Sequence, residues 1–355
     1  MATKTVQRDD CFIVLNLHHK GPRRRPPYVV VTGTEPDAAT DGLFRGLVRV
    51  LVPATSGNLG PGFDALGLAY NLYDQVEVQV TDGPTTIVVE GEGAGAVPVD
   101  ETHLVMRALR RTLEFAGAAQ PNLALRCINR IPHGRGLGSS AAAVVAGIMA
   151  ARELLPDPES LTLDQVLALA TEFEGHPDNA APAIFGGATA SWMDNGQPFA
   201  VRIPVSPDLR PILLVPNYSL ATKAARAVLP AQVPYADAVF NIGRVALLTQ
   251  ALNSQPQYLF AATEDKLHQP YRAGVMPQSA NLVAKLRAGQ VPAVISGAGP
   301  TVLILDTGTG EVLDAEAGAE MLAELGKNLD FDPAGWRVLP LAVDEKGATA
   351  TRELA

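Results

Sequence analysis

Residues 132–143 read PHGRGLGSSAAA: three glycines at alternate positions, then two serines, then alanines. A chain strips itself of side chains in this way where the backbone must turn sharply and another group must come close. Gly134, Gly136 and Gly138 have no Cβ, so they adopt backbone angles closed to other residues and leave their N–H groups bare. The following run, VVAGIMAARELL, carries no charge before Arg152. A helix apolar on every side is a buried one, and its alanines let neighbours approach closely. Ser139 or Ser140 is expected to cap that helix. Its first turn carries unpaired N–H donors and about half a unit of positive charge, which makes a cradle for an anion such as phosphate. The common nucleotide loops do not fit. A P-loop needs Gly-Lys-Ser/Thr, and here Gly138 is followed by Ser139, where a dinucleotide fingerprint would also need glycine. Taken alone, the stretch also reads as a tight turn into a core helix that binds nothing.

Two further glycine segments change that balance. PATSGNLGPGFDALGLAYNLYD, residues 53–74, follows a strand and packs Gly57, Gly60, Gly62 and Gly67 around Asn58 and Asp64. Such glycines let backbone approach a small ligand, although Asn58 and Asp64 also suit ordinary Asx turns. SGAGPT, residues 296–301, is a glycine loop between two apolar runs, or a plain hairpin. TEFEGHPDNAAPAIFGG then gathers Glu172, Glu174, His176, Asp178 and Asn179 in a short window. Carboxylates beside a phosphate site suit Mg²⁺, which takes hard oxygen ligands and often only one or two protein carboxylates. Glu172 and Glu174 cannot face the same way on a helix, so one of them is expected in solvent. His176 reads as an orienting hydrogen-bond donor, with a metal-ligand or base role as the alternative. Thr222 and Arg226 share a helical face in SLATKAARAVLP, and LHQPYR offers Arg272. Arginine forks bind carboxylates in bidentate fashion, or form surface ion pairs.

The rest of the 355-residue chain supplies a scaffold large enough for about two ordinary domains. Alternation in YDQVEVQVTDG predicts a half-buried strand, with further strands in LVRVLVPA, TTIVVEGEG, NLALRCINRI and RPILLVPN. AVISGAGPTVLILD predicts a strand pair around its glycine turn. Helices are expected in THLVMRALRRTLEFAG, LTLDQVLALATEFEG with Thr162 as N-cap, FNIGRVALLTQAL and ANLVAKLRAG. Strands mixed with helices, without strict alternation, predict an α+β architecture with a boundary near residues 200–207. Residues 1–46, basic and Pro-rich and then polar, read as a loosely held extension. A net charge of −9 argues against a general binder of nucleic acid or anionic membrane. No stretch reaches the ~20 apolar residues of a membrane span. Two distant cysteines, Cys11 and Cys127, fit a reducing cytoplasm without a disulfide framework.

Together, PATSGNLGPGFDALG, PHGRGLGSSAAA and SGAGPTVLIL resemble the three signatures of the GHMP kinases, in family order. GNLGPGFDALGLAYNLYD, EFEGHPDNAAPAIFGG, TKAARAVLP and QPYR are similar to its homoserine kinase branch. The resemblance runs from about Leu47 to the end. It implies a two-domain α+β fold, with an N-terminal nucleotide-binding domain over residues 47–204 and a C-terminal ferredoxin-like domain over 205–355. It implies transfer of the ATP γ-phosphoryl group to the side-chain hydroxyl of L-homoserine, a step of threonine biosynthesis in the cytoplasm. Pro132, His133, Gly134, Arg135, Gly136, Leu137, Gly138, Ser139, Ser140, Ala141 and Ala142 would wrap the ATP phosphates, with Asn71 in the nucleotide pocket. Ser140 and Glu174 would hold Mg²⁺, although the short spacing from Glu174 to Asp178 leaves Glu172 open as the ligand. Asn58, Asp64, Arg226 and Arg272 would bind homoserine, the arginines its carboxylate and Asp64 its ammonium. Asp178, Asn179 and Thr222 would lie at the reacting centre, with Asp178 as the base if one is used. The alternatives are another GHMP kinase, such as mevalonate kinase, and a non-catalytic nucleotide-binding relative. The resemblance implies a small-molecule partner, neither nucleic acid nor membrane, and leaves a homodimer open.

Overall fold

The computed structural model describes residues 42–307, 317, 320, 323, 324, 326, 327 and 332–354. The extension expected over residues 1–46 lies outside the described residues except for its last five. Of those, Leu43 is buried, and the Phe44 N–H donates to the Leu154 carbonyl.

A large sheet begins with β1 (Leu47–Gly57) and β2 (Leu66–Val80), antiparallel, with a register shift at Pro53/Ala54. Proline has no N–H to give the ladder, so a strand carrying it bends there. β3 (Thr86–Gly91) runs parallel to β4 (Leu123–Asn129), which pairs with β2. The hairpin β5 (Ala188–Asp194) and β6 (Gln197–Ile203) joins β2 through β5. Against this sheet pack α1 (Leu104–Phe115), α2 (Ser139–Leu154), α3 (Leu163–Glu174) and α4 (Ala180–Phe185). α1 buries the face expected from its periodicity: Val105, Met106, Ala108, Leu109, Thr112 and Leu113. α3 opens on a capping box, Thr162 with Gln165, and stops at Gly175, whose φ of 80° suits glycine alone. α2 is buried from Ala141 to Leu154 apart from Ala143 and Glu153, as its lack of charge required.

β7 (Arg210–Pro216) starts a second, antiparallel sheet with β8 (Ala293–Ile295), β9 (Val302–Asp306) and β10 (Trp336–Pro340), in the order β10-β7-β9-β8. Numbered within this sheet the order is 4-1-3-2, that of the ferredoxin-like arrangement. Between β7 and β8 run α5 (Thr222–Ala227), α6 (Tyr235–Asn253), α7 (Leu259–Ala262), α8 (Gln269–Arg272) and α9 (Pro277–Ala288). A core of Leu214, Met276, Leu286, Ile295 and Val302 lies between this sheet and α9. The last strand, β11 (Thr349–Glu353), returns to the first sheet and pairs with β1. The β5–β6 hairpin, β10 and β11 are not anticipated from the sequence, because ATASWMD, QPFAVRI, WRVLP and TATRE are short and show no sustained apolar–polar alternation.

Candidate active site

Neither Ser139 nor Ser140 caps α2, contrary to expectation. Gly138, with φ of 68°, takes the cap position before α2, no side chain caps the helix, and Ser139 and Ser140 lie inside its first turn. The reason is space. A Cβ on Gly138 would fall inside contact distance of the Thr55 hydroxyl, and one on Gly136 would strike the Ser296 carbonyl. The elbow is therefore bare because β1 and the 296–301 loop lean on it. The Thr55 N–H donates to the Leu137 carbonyl at 3.1 Å, and Ser296 Oγ donates to the Gly136 carbonyl at 2.6 Å.

The same loop bonds to the first glycine segment. Asn58 Nδ2 donates to the Gly297 carbonyl at 2.8 Å, and the Gly297 N–H donates to the Gly57 carbonyl at 3.1 Å. Ser56 and Ser296 share a short hydroxyl–hydroxyl bond. Three glycine segments far apart in sequence thus close on one another and leave a cleft. Its wall includes Asn58, Gly134, Gly136, Leu137, Gly138, Ser139 and Ser140, with Gly297 and Ala298 beside them. The rest of the lining is Glu174, His176, Asp178, Asn179, Thr222, Arg226 and Arg272. Of the remaining residues expected around the phosphates, Pro132, His133, Arg135, Ala141 and Ala142 do not line this cleft. The Arg135 guanidinium instead donates to the carbonyls of His133, Pro216 and Asn217. Asn71 lies outside the cleft, its side-chain oxygen accepting from the Ala342 N–H at 2.9 Å.

Charge is arranged in pairs across the floor. Ser140 Oγ donates to Glu174 Oε1 at 2.6 Å. Burial pushes the Glu174 carboxyl above the usual range, against the pull of the serine hydrogen bond. Glu172 faces the other way and pairs with Arg111 at the exposed surface. Asp178 is buried, and its carboxylate shares a short bond with His176 Nδ1. Burial opposes charge on His176, but the hydrogen bond and charge of Asp178 outweigh it and raise the imidazole above its ordinary value. Gly57 makes room for this, because a Cβ there would overlap Asp178 Oδ2. Asn179 holds its place by accepting from Thr55 Oγ1 at 3.0 Å. Arg226 reaches Asp64 with both Nη atoms, at 2.5 and 3.1 Å, and the Asp64 N–H is fixed by Asn58 Oδ1 at 3.0 Å. Asp64, His176 and Asp178 lie close enough together to surround one cation.

Sequence reasoning did not single out Thr55, Ser296 or His268 as site residues. Thr55 and Ser296 stand inside the glycine motifs, which was the available signal. Nothing local marks His268, four residues before Arg272.

This geometry can hold a triphosphate on backbone N–H groups at a helix start, and a zwitterionic acceptor between paired acids and arginines. The comparisons agree. Residues 103–187 match the GHMP kinases N terminal domain. The chain is 51% identical to the homoserine kinase of Streptomyces coelicolor over 83% of its own length and 95% of that protein. It is 50% identical to that of Clavibacter michiganensis over 85% and 93%. The crystal structure of homoserine kinase from Cytophaga hutchinsonii superposes with a TM-score of 0.73 at 27% identity, covering 87% and 98%. Cleft, fold and sequence therefore converge, and the chain belongs to the homoserine kinase family of GHMP kinases.

Proposed function

We propose that this protein transfers the γ-phosphoryl group of ATP to the side-chain hydroxyl of L-homoserine, forming O-phospho-L-homoserine in threonine biosynthesis. The observation that carries the reading is the juxtaposition in one cleft of the bare start of α2 with side chains of both charges. An amino acid presents an ammonium and a carboxylate, and Asp64 with Arg226 and Arg272 offers a counterpart to each. Mevalonate has no ammonium and would leave the acid unmatched.

Phosphoryl transfer through a loose transition state asks mostly for positioning and charge neutralisation. The N–H groups at the start of α2 draw the phosphates to one end of the cleft. Arg226 and Arg272 take the acceptor's carboxylate, Asp64 its ammonium, and Asn58 and Asn179 fix its direction. Such orientation is worth up to ~7–11 kcal/mol of barrier. Asp178 and Thr222 stand at the hydroxyl that reacts. Asp178, tied to His176, accepts the hydroxyl proton as the bond to phosphorus forms. Mg²⁺ fits the donor set, since the Ser140 hydroxyl and the half-buried Glu174 carboxylate are hard oxygen ligands side by side. When bound there it would supply positive charge to the phosphate oxygens. The acidic balance of the chain, its free and buried Cys127, and the lack of a membrane-crossing helix among the described residues support a reaction between small metabolites in the cytoplasm.

An acceptor screen with Mg-ATP, read by product mass, tests this. Homoserine should gain one phosphate, and mevalonate should remain unchanged. Phosphorylation of mevalonate, or nucleotide binding with no turnover of homoserine, overturns the reading.

A further inference from the structure

Arg272 is one of the largest fully buried side chains of the molecule, at 1% exposure, yet it lines the cleft. Its direction is set by three acceptors. Nε donates to the Ala225 carbonyl at 3.2 Å, and Nη1 donates to the Gly297 carbonyl at 3.2 Å and to His268 Nδ1 at 3.0 Å. Nη2 makes no hydrogen bond among the described residues and is the nitrogen left for an incoming carboxylate.

The third acceptor depends on a tautomer. An imidazole nitrogen accepts only when its proton is on the other nitrogen. His268 is fully buried, and its Nε2 faces the Gly60 carbonyl at 2.6 Å, which can only accept. The proton must therefore sit on Nε2, and Nδ1 offers its lone pair to Arg272. Burial also pushes His268 below its ordinary value, which keeps the ring neutral. The loop preceding the ring is pinned by Asp265, which accepts from the N–H groups of Leu267, His268 and Gln269 and from Asn241 Nδ2. Phe63 stacks on the ring at 5.2 Å and lies beneath both the Arg272 and Arg226 guanidinium groups, at 5.4 and 5.5 Å. One neutral ring thus joins the segment that carries Asn58 and Asp64 to the arginine on the other side of the acceptor.

Resting on the homoserine reading above, we infer that His268 is the positioning residue of the acceptor site: as the Nε2–H tautomer it couples the Gly60 loop to Arg272 and aims the guanidinium at the acceptor's carboxylate.

Two isosteres separate this role from simple packing. In His268→Asn the amide oxygen stands where Nδ1 was, keeping an acceptor for Arg272 and losing the bond to Gly60. In His268→Gln the amide nitrogen stands where Nε2 was, keeping the bond to Gly60 and losing the acceptor. Steady-state kinetics with Mg-ATP should show the homoserine KM of His268→Gln raised about tenfold or more. His268→Asn should recover it to within about threefold of wild type, with the ATP KM of both within about twofold. A homoserine KM in His268→Gln within twofold of wild type overturns the proposal, as does an equal loss in both variants for both substrates. If neither variant folds, ¹⁵N-histidine spectra of the wild type carry the test. The ring in contact with Phe63 must be protonated on Nε2 and must shift on homoserine addition, and an Nδ1–H ring or an unresponsive one overturns the proposal. Wild-type protein without homoserine turnover overturns the functional reading itself, an outcome distinct from equal variants on an active enzyme.

Discussion

The two walls of the cleft are specified by different means. The wall of residues 134–140 is made of backbone: its shape rests on glycines at φ of 65°, 73° and 68° and, at Gly136 and Gly138, on neighbours that leave no space for a Cβ. The other wall is made of side chains, most of them charged, that meet partners in the folded chain: Glu174 meets Ser140 of the first wall, His176 meets Asp178, and Arg226 meets Asp64. A backbone wall is intolerant at single positions, because strain and overlap have nowhere to go. A side-chain wall responds in graded fashion, because each charge retains a partner or finds solvent. The first wall should therefore fail through shape and ATP binding, and the second through the acceptor and the rate.

The largest effect expected is that of Gly136→Ala. Its new Cβ would meet the Ser296 carbonyl and the Gly299 backbone, which belong to another segment and cannot rotate away. A positive φ adds about 1–2 kcal/mol of strain for a residue with a side chain. We expect kcat/KM to fall about a thousandfold or more, together with the thermal midpoint, as measured by a coupled assay and calorimetry. Gly134→Ala meets only the Ser219 side chain, at 3.2 Å, and should lose about tenfold. Equal losses in the two variants would mean that overlap is not what shapes this wall.

Next comes Asp178→Asn, expected to lower kcat about a hundredfold, in the range of a lost general base, with the ATP KM within about twofold. An unchanged turnover number would remove Asp178 from the proton path. Asp64→Asn follows. Losing one charge-assisted partner, worth ~1.5–3 kcal/mol, should raise the homoserine KM about tenfold or more and leave ATP untouched. A change confined to the ATP KM would assign Asp64 to the other wall.

The smallest effect is on stability against pH. The folded value of His176 is raised because Asp178 outweighs burial. The protonated ring therefore stabilises the fold fully below its unfolded value of 6.5, and this contribution fades as pH rises through the raised folded value. Thermal midpoints of wild type minus Asp178→Asn should fall across that window. Glu174, whose carboxyl is also raised, shifts stability in the same direction in both proteins and largely cancels in the difference. A flat difference would show that the two side chains do not share the proton in solution.

The same division explains how much was legible beforehand. Strands with strong alternation, such as the Tyr73–Val80 half of β2, and helices with one apolar face, such as α1, report a local pattern and stand where expected, while β2 begins seven residues earlier, at Leu66, inside the glycine segment. The Thr162 capping box and the Gly175 stop are likewise local chemistry. β11 escaped notice because its five residues, TATRE, include no large apolar side chain, and its reason for being a strand is β1, some 300 positions away. Among the site residues, Gly136 and Gly138 announced themselves by composition. Asn71 meets the Ala342 N–H, a partner that no local pattern shows because it lies far along the chain. The serine cap failed for a tertiary reason: Thr55, from another strand, occupies the space beside Gly138.

What the amino-acid order determined by itself is therefore whatever depends on neighbours within a turn or two: the buried uncharged helix, its glycine elbow, the alternating strands and the acidic cluster around residue 176. What only the tertiary structure decided is which groups share a proton or a charge. His268 illustrates the reason. Its tautomer depends on a carbonyl at residue 60 and a guanidinium at residue 272, and only folding brings the two to opposite edges of one buried ring.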